Sequence, residues 1–203
     1  YFIQKSYQDK ENRQAQDLYL SFLDNLTPSN YKKELNRLCS FYVVFVPGLA
    51  YNDTTNGGNF AQQRRLLTSA NVANEMIATE EWGLTETNAE LIASRLKELS
   101  TKHEKIIVVS ASKGGLETAV ALGKELMPEE TKSIKAWISV GGVLRGSPVA
   151  DTYLCWPKCW IAGIGLATKG QDIGLIKDLS YKKRAEEYKQ LHFPKNIKMI
   201  HFI

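Results

Sequence analysis

The stretch Ile106-Ile107-Val108-Val109-Ser110-Ala111-Ser112-Lys113-Gly114-Gly115 constrains the fold more than any other part of this chain. Its β-branched apolar residues run uninterrupted into small ones, and a helical pattern follows from Leu116 to Leu126. Such a run fits a strand buried on both faces, as in a parallel sheet. The same order of elements recurs along the sequence. Phe41-Tyr42-Val43-Val44-Phe45-Val46 is an apolar run ended by Pro47-Gly48, Val72 to Ile77 is a weaker strand, and Ile134 to Val140 is a strand ending in Gly141-Gly142. Asn196 to Ile203 starts another.

Helical patterns fill the intervals. Residues 8–24 read as a helix broken by Pro28, followed by helical stretches from Tyr31 to Leu38 and from Phe60 to Ala70, with a polar loop from Asn52 to Asn59 between them. Thr87-Asn88-Ala89-Glu90 has capping-box spacing and predicts a helix start, with Ala89, Ile92, Ala93, Leu96 and Leu99 on one face. Pro128 stops the helix after Gly115, Leu144 to Gly174 reads as irregular and Trp-rich, and a charged helix is expected from Ile176 to Leu191. Strands alternating with helices predict an α/β fold with a mainly parallel sheet and helices on both faces. At 203 residues, one domain spans residues 1–203. Its parts are an N-terminal helical region (1–40), a core (41–143), a lid-like segment (144–174), and a helix with the start of a last strand (175–203).

Composition narrows the partners. With 43% hydrophobic and 24% charged residues, the chain has the make-up of an ordinary soluble globular protein. A net charge of +4, with lysines scattered among acids, argues against nucleic acid. No apolar run approaches the roughly 20 residues that span a bilayer, and no targeting segment is visible, which leaves the compartment open. Tyr1 is not an initiator, so an N-terminal part is expected to be missing. Cys39, Cys155 and Cys159 are too few for a disulfide scaffold and lack zinc-site spacing; Cys155 and Cys159 read equally well as a small disulfide loop or as free thiols.

In parallel sheets, ligands bind at the carboxyl ends of the strands, where Pro47-Gly48, Ser112 and Gly141-Gly142 all fall. A serine on a sharp strand-to-helix turn is a nucleophile elbow. The turn needs small residues two before and two after the nucleophile. Ser112 has Ser110 and Gly114 there, whereas Ser110 would have Val108, so Ser112 is the candidate. Backbone N–H groups must also hold the developing oxyanion. Lys113 supplies one at the helix start, and Leu49 or Ala50 a second from the loop after the first strand. The same residues can be read as an N-cap serine with glycines for helix–strand packing. A nucleotide loop at Ser112-Lys113-Gly114-Gly115-Leu116-Glu117-Thr118 is disfavoured, because the second Gly-Lys pair is absent.

With these residues the sequence resembles the α/β-hydrolase superfamily in its lipase, esterase and thioesterase-like branches. Val44-Phe45-Val46-Pro47-Gly48 is similar to the strand and oxyanion loop, and Ser110-Ala111-Ser112-Lys113-Gly114-Gly115 to the elbow, with Ser110 for the usual first glycine. Gly142-Val143-Leu144-Arg145-Gly146-Ser147-Pro148-Val149-Ala150-Asp151 is similar to a G-x-P-x-x-G-S-x-x-A-D segment of lipase-like members. Lys113 stands where histidine, methionine or glutamine is common, and is expected to favour an anionic substrate or to face solvent.

The resemblance implies a serine hydrolase acting on carboxylic esters or thioesters through an acyl-enzyme on Ser112, with an ester or lipid substrate and no metal or organic cofactor. The alternative is a catalytically inactive binding protein on the same scaffold. The family's order is serine, acid, histidine. None of the three histidines fits the base: His103 precedes the elbow strand, His192 ends a charged helix, and His201 lies within the last strand. Asp151 is a possible acid, with Asp172 and Asp178 weaker. The acid and histidine are therefore expected beyond Ile203, in a chain truncated at its C-terminal side. Trp156 and Trp160, within the apolar stretch Tyr153 to Ile164, are expected to line a substrate pocket together with Ala50 and Tyr51, or else to pack in the interior.

Overall fold

The computed structural model describes residues 27–52, 58–167, 170 and 173–202, with isolated positions 14, 17, 20 and 21 ahead of them. The helix expected over residues 8–24 and the middle of the loop after Asn52 therefore lie largely outside the described residues. The elements run α1 (Pro28–Arg37), β1 (Tyr42–Val46), α2 (Ala61–Ser69), β2 (Asn74–Met76), α3 (Thr85–Ser100), β3 (Ile106–Ala111) and α4 (Lys113–Val120). They continue as β4 (Ile134–Val140), α5 (Pro148–Tyr153), α6 (Lys158–Ala167), α7 (Gly174–Asp178), α8 (Tyr181–Lys189) and β5 (Lys198–Phe202).

The strands form one sheet in the order β2-β1-β3-β4-β5, and every pairing is parallel. The chain leaves β1 toward one edge, forms β2, and returns to build β3 on β1's other side. The point of reversal, between the carboxyl ends of β1 and β3, is where such sheets open a crevice. Helices cover both faces. On one, Val44, Val46 and Val108 pack with Ile92 and Leu96 of α3 and with Leu116 and Ala119 of α4. On the other, Val43 and Phe45 pack with Leu67 of α2, and Leu35 of α1 lies against them. Trp137 of β4 is completely buried in the first layer. Burial on both sides explains why β1 reads as an unbroken apolar run.

Besides small shifts at most element ends, four departures from the sequence reading stand out. Helix α3 starts at Thr85, not Thr87. Its cap comes from Asp178, whose Oδ2 accepts from the Thr85 N–H at 2.9 Å and the Thr85 hydroxyl at 2.6 Å. Helix α4 begins at Lys113 and gives way at Ala121–Glu125 to a π-helical turn. There the Gly123 carbonyl accepts from the His192 N–H at 2.9 Å. The segment from Leu144 to Gly174 is not irregular, since it carries α5 and α6. The charged helix is two, α7 and α8, because Ser180 pairs with Ser147 and caps α8 with its side chain.

Candidate active site

Ser112 adopts φ 50° and ψ −122°. This left-handed conformation costs a non-glycine residue on the order of 1–3 kcal/mol and persists only where surrounding structure enforces it. The enforcement is visible in three contacts. The Ser112 N–H donates to the Val140 carbonyl at 3.1 Å, and the Ser112 carbonyl accepts from Gly115 N–H at 3.0 Å and Val143 N–H at 3.2 Å. The ends of β3 and β4 and the start of α4 are thus tied together at one residue. Its side chain is exposed at the carboxyl end of the sheet.

Glycines allow this convergence. A Cβ on Gly114 would lie 2.2 Å from the Pro47 carbonyl oxygen, so α4 rests directly on the end of β1. A Cβ on Gly48 would lie 3.1 Å from the Ser112 Cβ, and one on Gly115 would lie 2.9 Å from the Gly142 Cα. The loop after β1 and the Gly141-Gly142 turn after β4 therefore flank Ser112 on its two sides. Leu49 and Ala50 follow in that loop, half-buried, with Ala50 at φ 51°. Lys113 occupies the first position of α4, where a backbone N–H has no acceptor within the helix.

Ser110 is buried, and its hydroxyl accepts from the Trp137 indole N–H at 2.8 Å. The replacement for the usual glycine thus serves the sheet interior, while Ser112 presents its oxygen outward.

Several candidate residues occupy unexpected surroundings. The Lys113 side chain neither faces solvent nor stands ready for an anionic ligand. It is buried and ion-paired with Glu117, one helical turn on. Glu117 also accepts from Asn88 Nδ2 at 2.6 Å. Burial pushes the Glu117 carboxyl up from its ordinary value, and the Lys113 charge and the hydrogen bonds pull against that shift. The i, i+4 spacing of Lys113 and Glu117 was the sequence signal for this pair; Asn88 had none. Tyr51 is only 5% exposed, and its hydroxyl donates to the Thr79 carbonyl at 3.1 Å, so its ring braces the loop from beneath. Asp151 accepts from the Ser180 hydroxyl and holds α5 to the start of α8.

Trp156 and Trp160 are 81% and 69% exposed, which excludes the interior-packing alternative. Val149 and Tyr153 of α5 and Ile164 of α6 are likewise exposed. Cys155 and Cys159 are free thiols, as is Cys39. Asp178 is committed to Thr85 and Arg184, and Asp172 lies outside the described residues. His103 stacks on Tyr42 at the amino end of β1, with ring centroids 3.9 Å apart. His192 is exposed beyond α8. His201 sets its ring against Trp137, and burial lowers its pKa. Among the described residues no group of His, Cys, Asp and Glu side chains is placed to hold a metal, and no helix is long and apolar enough to cross a membrane.

No protein-family model matches the sequence, and no curated protein sequence matches it. Solved structures do. A metagenomic carboxyl esterase superposes with a TM-score of 0.64 at 20% identity, over 80% of this chain and 49% of its own. The mature lipase BlEst2 of Bacillus licheniformis superposes with a TM-score of 0.59 at 22% identity, over 78% of this chain and 63% of its own. The chain adopts an α/β-hydrolase fold. It spans about half to under two thirds of the length of these neighbours.

Proposed function

We propose that this α/β-hydrolase chain is the nucleophile-bearing part of a serine hydrolase that cleaves carboxylic esters or thioesters through an acyl-enzyme on Ser112. The observation carrying this reading is the enforced left-handed conformation of an exposed serine at the sheet's switch point. An ordinary N-cap serine has an extended backbone and needs no such strain. In the proposed reaction Ser112 Oγ attacks the carbonyl carbon as its proton passes to a general base, a part that none of His103, His192 and His201 is placed to play. The Leu49 and Lys113 N–H groups hold the oxyanion. The protonated base then returns its proton to the departing alkoxide or thiolate, and water or another acceptor releases the acyl group. Asp151 remains the acid candidate within this chain. Ala50 lines the proposed entrance, Tyr51 supports it, and Trp156 and Trp160 meet the apolar part of the substrate.

A catalytically inactive binding protein is the competing reading, favoured by the placement of all three histidines in other surroundings. Labelling of the intact protein with a fluorophosphonate separates the two. Stoichiometric labelling that is abolished in Ser112→Ala is expected. Equal labelling of both proteins removes Ser112 as the nucleophile, and no labelling of either favours the binding protein.

A further inference from the structure

Between β2 and α3 the chain makes a short turn, residues 79–83, that belongs to neither wall of the candidate site. It is nevertheless bonded to both. On one side, the Tyr51 hydroxyl donates to the Thr79 carbonyl at 3.1 Å, and the Asn52 N–H donates to the Glu81 carboxylate. These bonds fix the loop that carries Leu49 and Ala50. On the other side, Asn88 accepts from the Glu80 N–H at 3.0 Å and donates to the Glu80 carbonyl at 2.8 Å. The second proton of the Asn88 amide goes to Glu117 at 2.6 Å, and Glu117 holds the Lys113 ammonium.

A continuous path therefore leads from the loop after β1, through the turn, to the first residue of α4. Asn52 and Glu80 on this path are exposed, but most of the side chains that carry it are not. Tyr51, Thr79, Asn88, Lys113 and Glu117 are all buried. Interior hydrogen bonds hold geometry more tightly than exposed ones, because water does not compete for them. Gly83 lets the turn close, since a Cβ there would lie 2.7 Å from the Glu80 Cβ and 3.3 Å from Asn88 Nδ2.

We propose that the 79–83 turn is the spacer that sets the separation of the two oxyanion donors, with Tyr51, Asn88 and Glu117 as its positioning residues. The proposal rests on the reading of the Leu49 and Lys113 N–H groups as those donors. An oxyanion is held well only when both donors meet it at hydrogen-bond distance, so a fixed spacing between two separate loops has direct catalytic value. Buried ionic pairs are poor sources of stability, and a registering role gives the Lys113–Glu117 pair a purpose.

The test uses the intact protein with Tyr51→Phe, which removes one oxygen, and with Asn88→Ala and Glu117→Gln. Hydrogen exchange is followed at residues 47–52 and 112–117, and hydrolysis of a soluble short-chain ester is measured in parallel. Tyr51→Phe is expected to accelerate exchange in 112–117, and Asn88→Ala in 47–52, each across the turn from the substitution. Each is expected to lower kcat about tenfold with KM changed less than about twofold, since misplacing a donor costs transition-state binding. The Tyr51→Phe, Asn88→Ala double variant is expected to lose little more than the worse single. Glu117→Gln keeps an amide oxygen for Asn88 but leaves the buried Lys113 ammonium without its counter-charge, and is expected to lower kcat to a similar extent.

Exchange that changes only on the substituted side overturns the spacer. Coupled exchange with kcat unchanged overturns its catalytic role. Exchange is read without turnover, so a protein in which Ser112→Ala labels like the parent loses the serine reading while the spacer is still judged on exchange.

Discussion

Gly114 shows how one missing methyl group fixes a site. With a would-be Cβ 2.2 Å from the Pro47 backbone oxygen just past β1, no flexible side chain can yield to it. Gly114→Ala is expected to lose about 3 kcal/mol of stability or to part the elbow from the β1 loop, which urea denaturation and fluorophosphonate labelling would both register. Gly163, inside α6, has nothing within 4 Å of its would-be Cβ. Gly163→Ala is expected to stabilise by up to about 1 kcal/mol through helix propensity alone. The pair separates a glycine required by contact from one that is not. Both lie in helices, so local pattern alone does not distinguish them. The small residues around Ser112 were legible because they cluster at the end of an apolar run; what each glycine touches was not.

At the scale of elements, the first turn of α3 joins parts of the chain that are distant in sequence. Thr85 meets Asp178, Glu86 meets Arg184, and Asn88 meets Glu117. Arg184 and Asp178 are almost wholly buried as an ion pair, and Arg184 also reaches Glu187. Burial alone would raise the Asp178 pKa, but the Thr85 hydrogen bonds and the Arg184 charge outweigh it and hold the carboxyl below its ordinary value of 3.8. A carboxylate with a lowered native pKa contributes stability that is present above 3.8 and lost as the pH falls through the native value. Asp178→Asn is therefore expected to cost about 3 kcal/mol near neutrality, because Arg184 is left partly unpaired. The difference from the parent should narrow as the pH is taken below 3.8, measured by urea denaturation across pH. The sequence suggested a local capping box at Thr87 to Glu90, yet the cap arrived from Asp178. A partner 93 residues away leaves no trace in local spacing.

Across the whole molecule, helices α5 and α6 rise from a stem closed by the Ser147–Ser180 pairing, the Ser147 N–H to Leu179 carbonyl bond at 2.8 Å, and Asp151 on Ser180. Trp160 of α6 and Trp156 just ahead of it present apolar surface to solvent. Side chains so exposed contribute little to stability, so Trp156→Ala with Trp160→Ala is expected to shift unfolding by under about 0.5 kcal/mol. If this surface meets the acyl chain, the same variant should weaken turnover of long-chain esters more than short-chain ones. A matched chain-length series would read the difference, and an equal loss on both would remove these residues from the substrate site. At the opposite edge of the sheet, Met199, Ile200 and Phe202 of β5 are exposed, and among the described residues the strand has β4 as its single partner.

The sequence by itself determined the βα order, the parallel sheet, the strand β4 to its exact ends, and the placement of Ser112 on the strand-to-helix turn with Ser110 inside the strand. These follow from hydrophobic runs and from small residues at turns, which act over a few neighbours. Tertiary structure decided which groups surround the serine. It buried Lys113 against Glu117, turned Tyr51 into a brace, brought Asp178 to Thr85, and left the tryptophans in solvent. Each depends on contacts between segments far apart in the chain, where burial and charge pairing are settled by packing rather than by spacing.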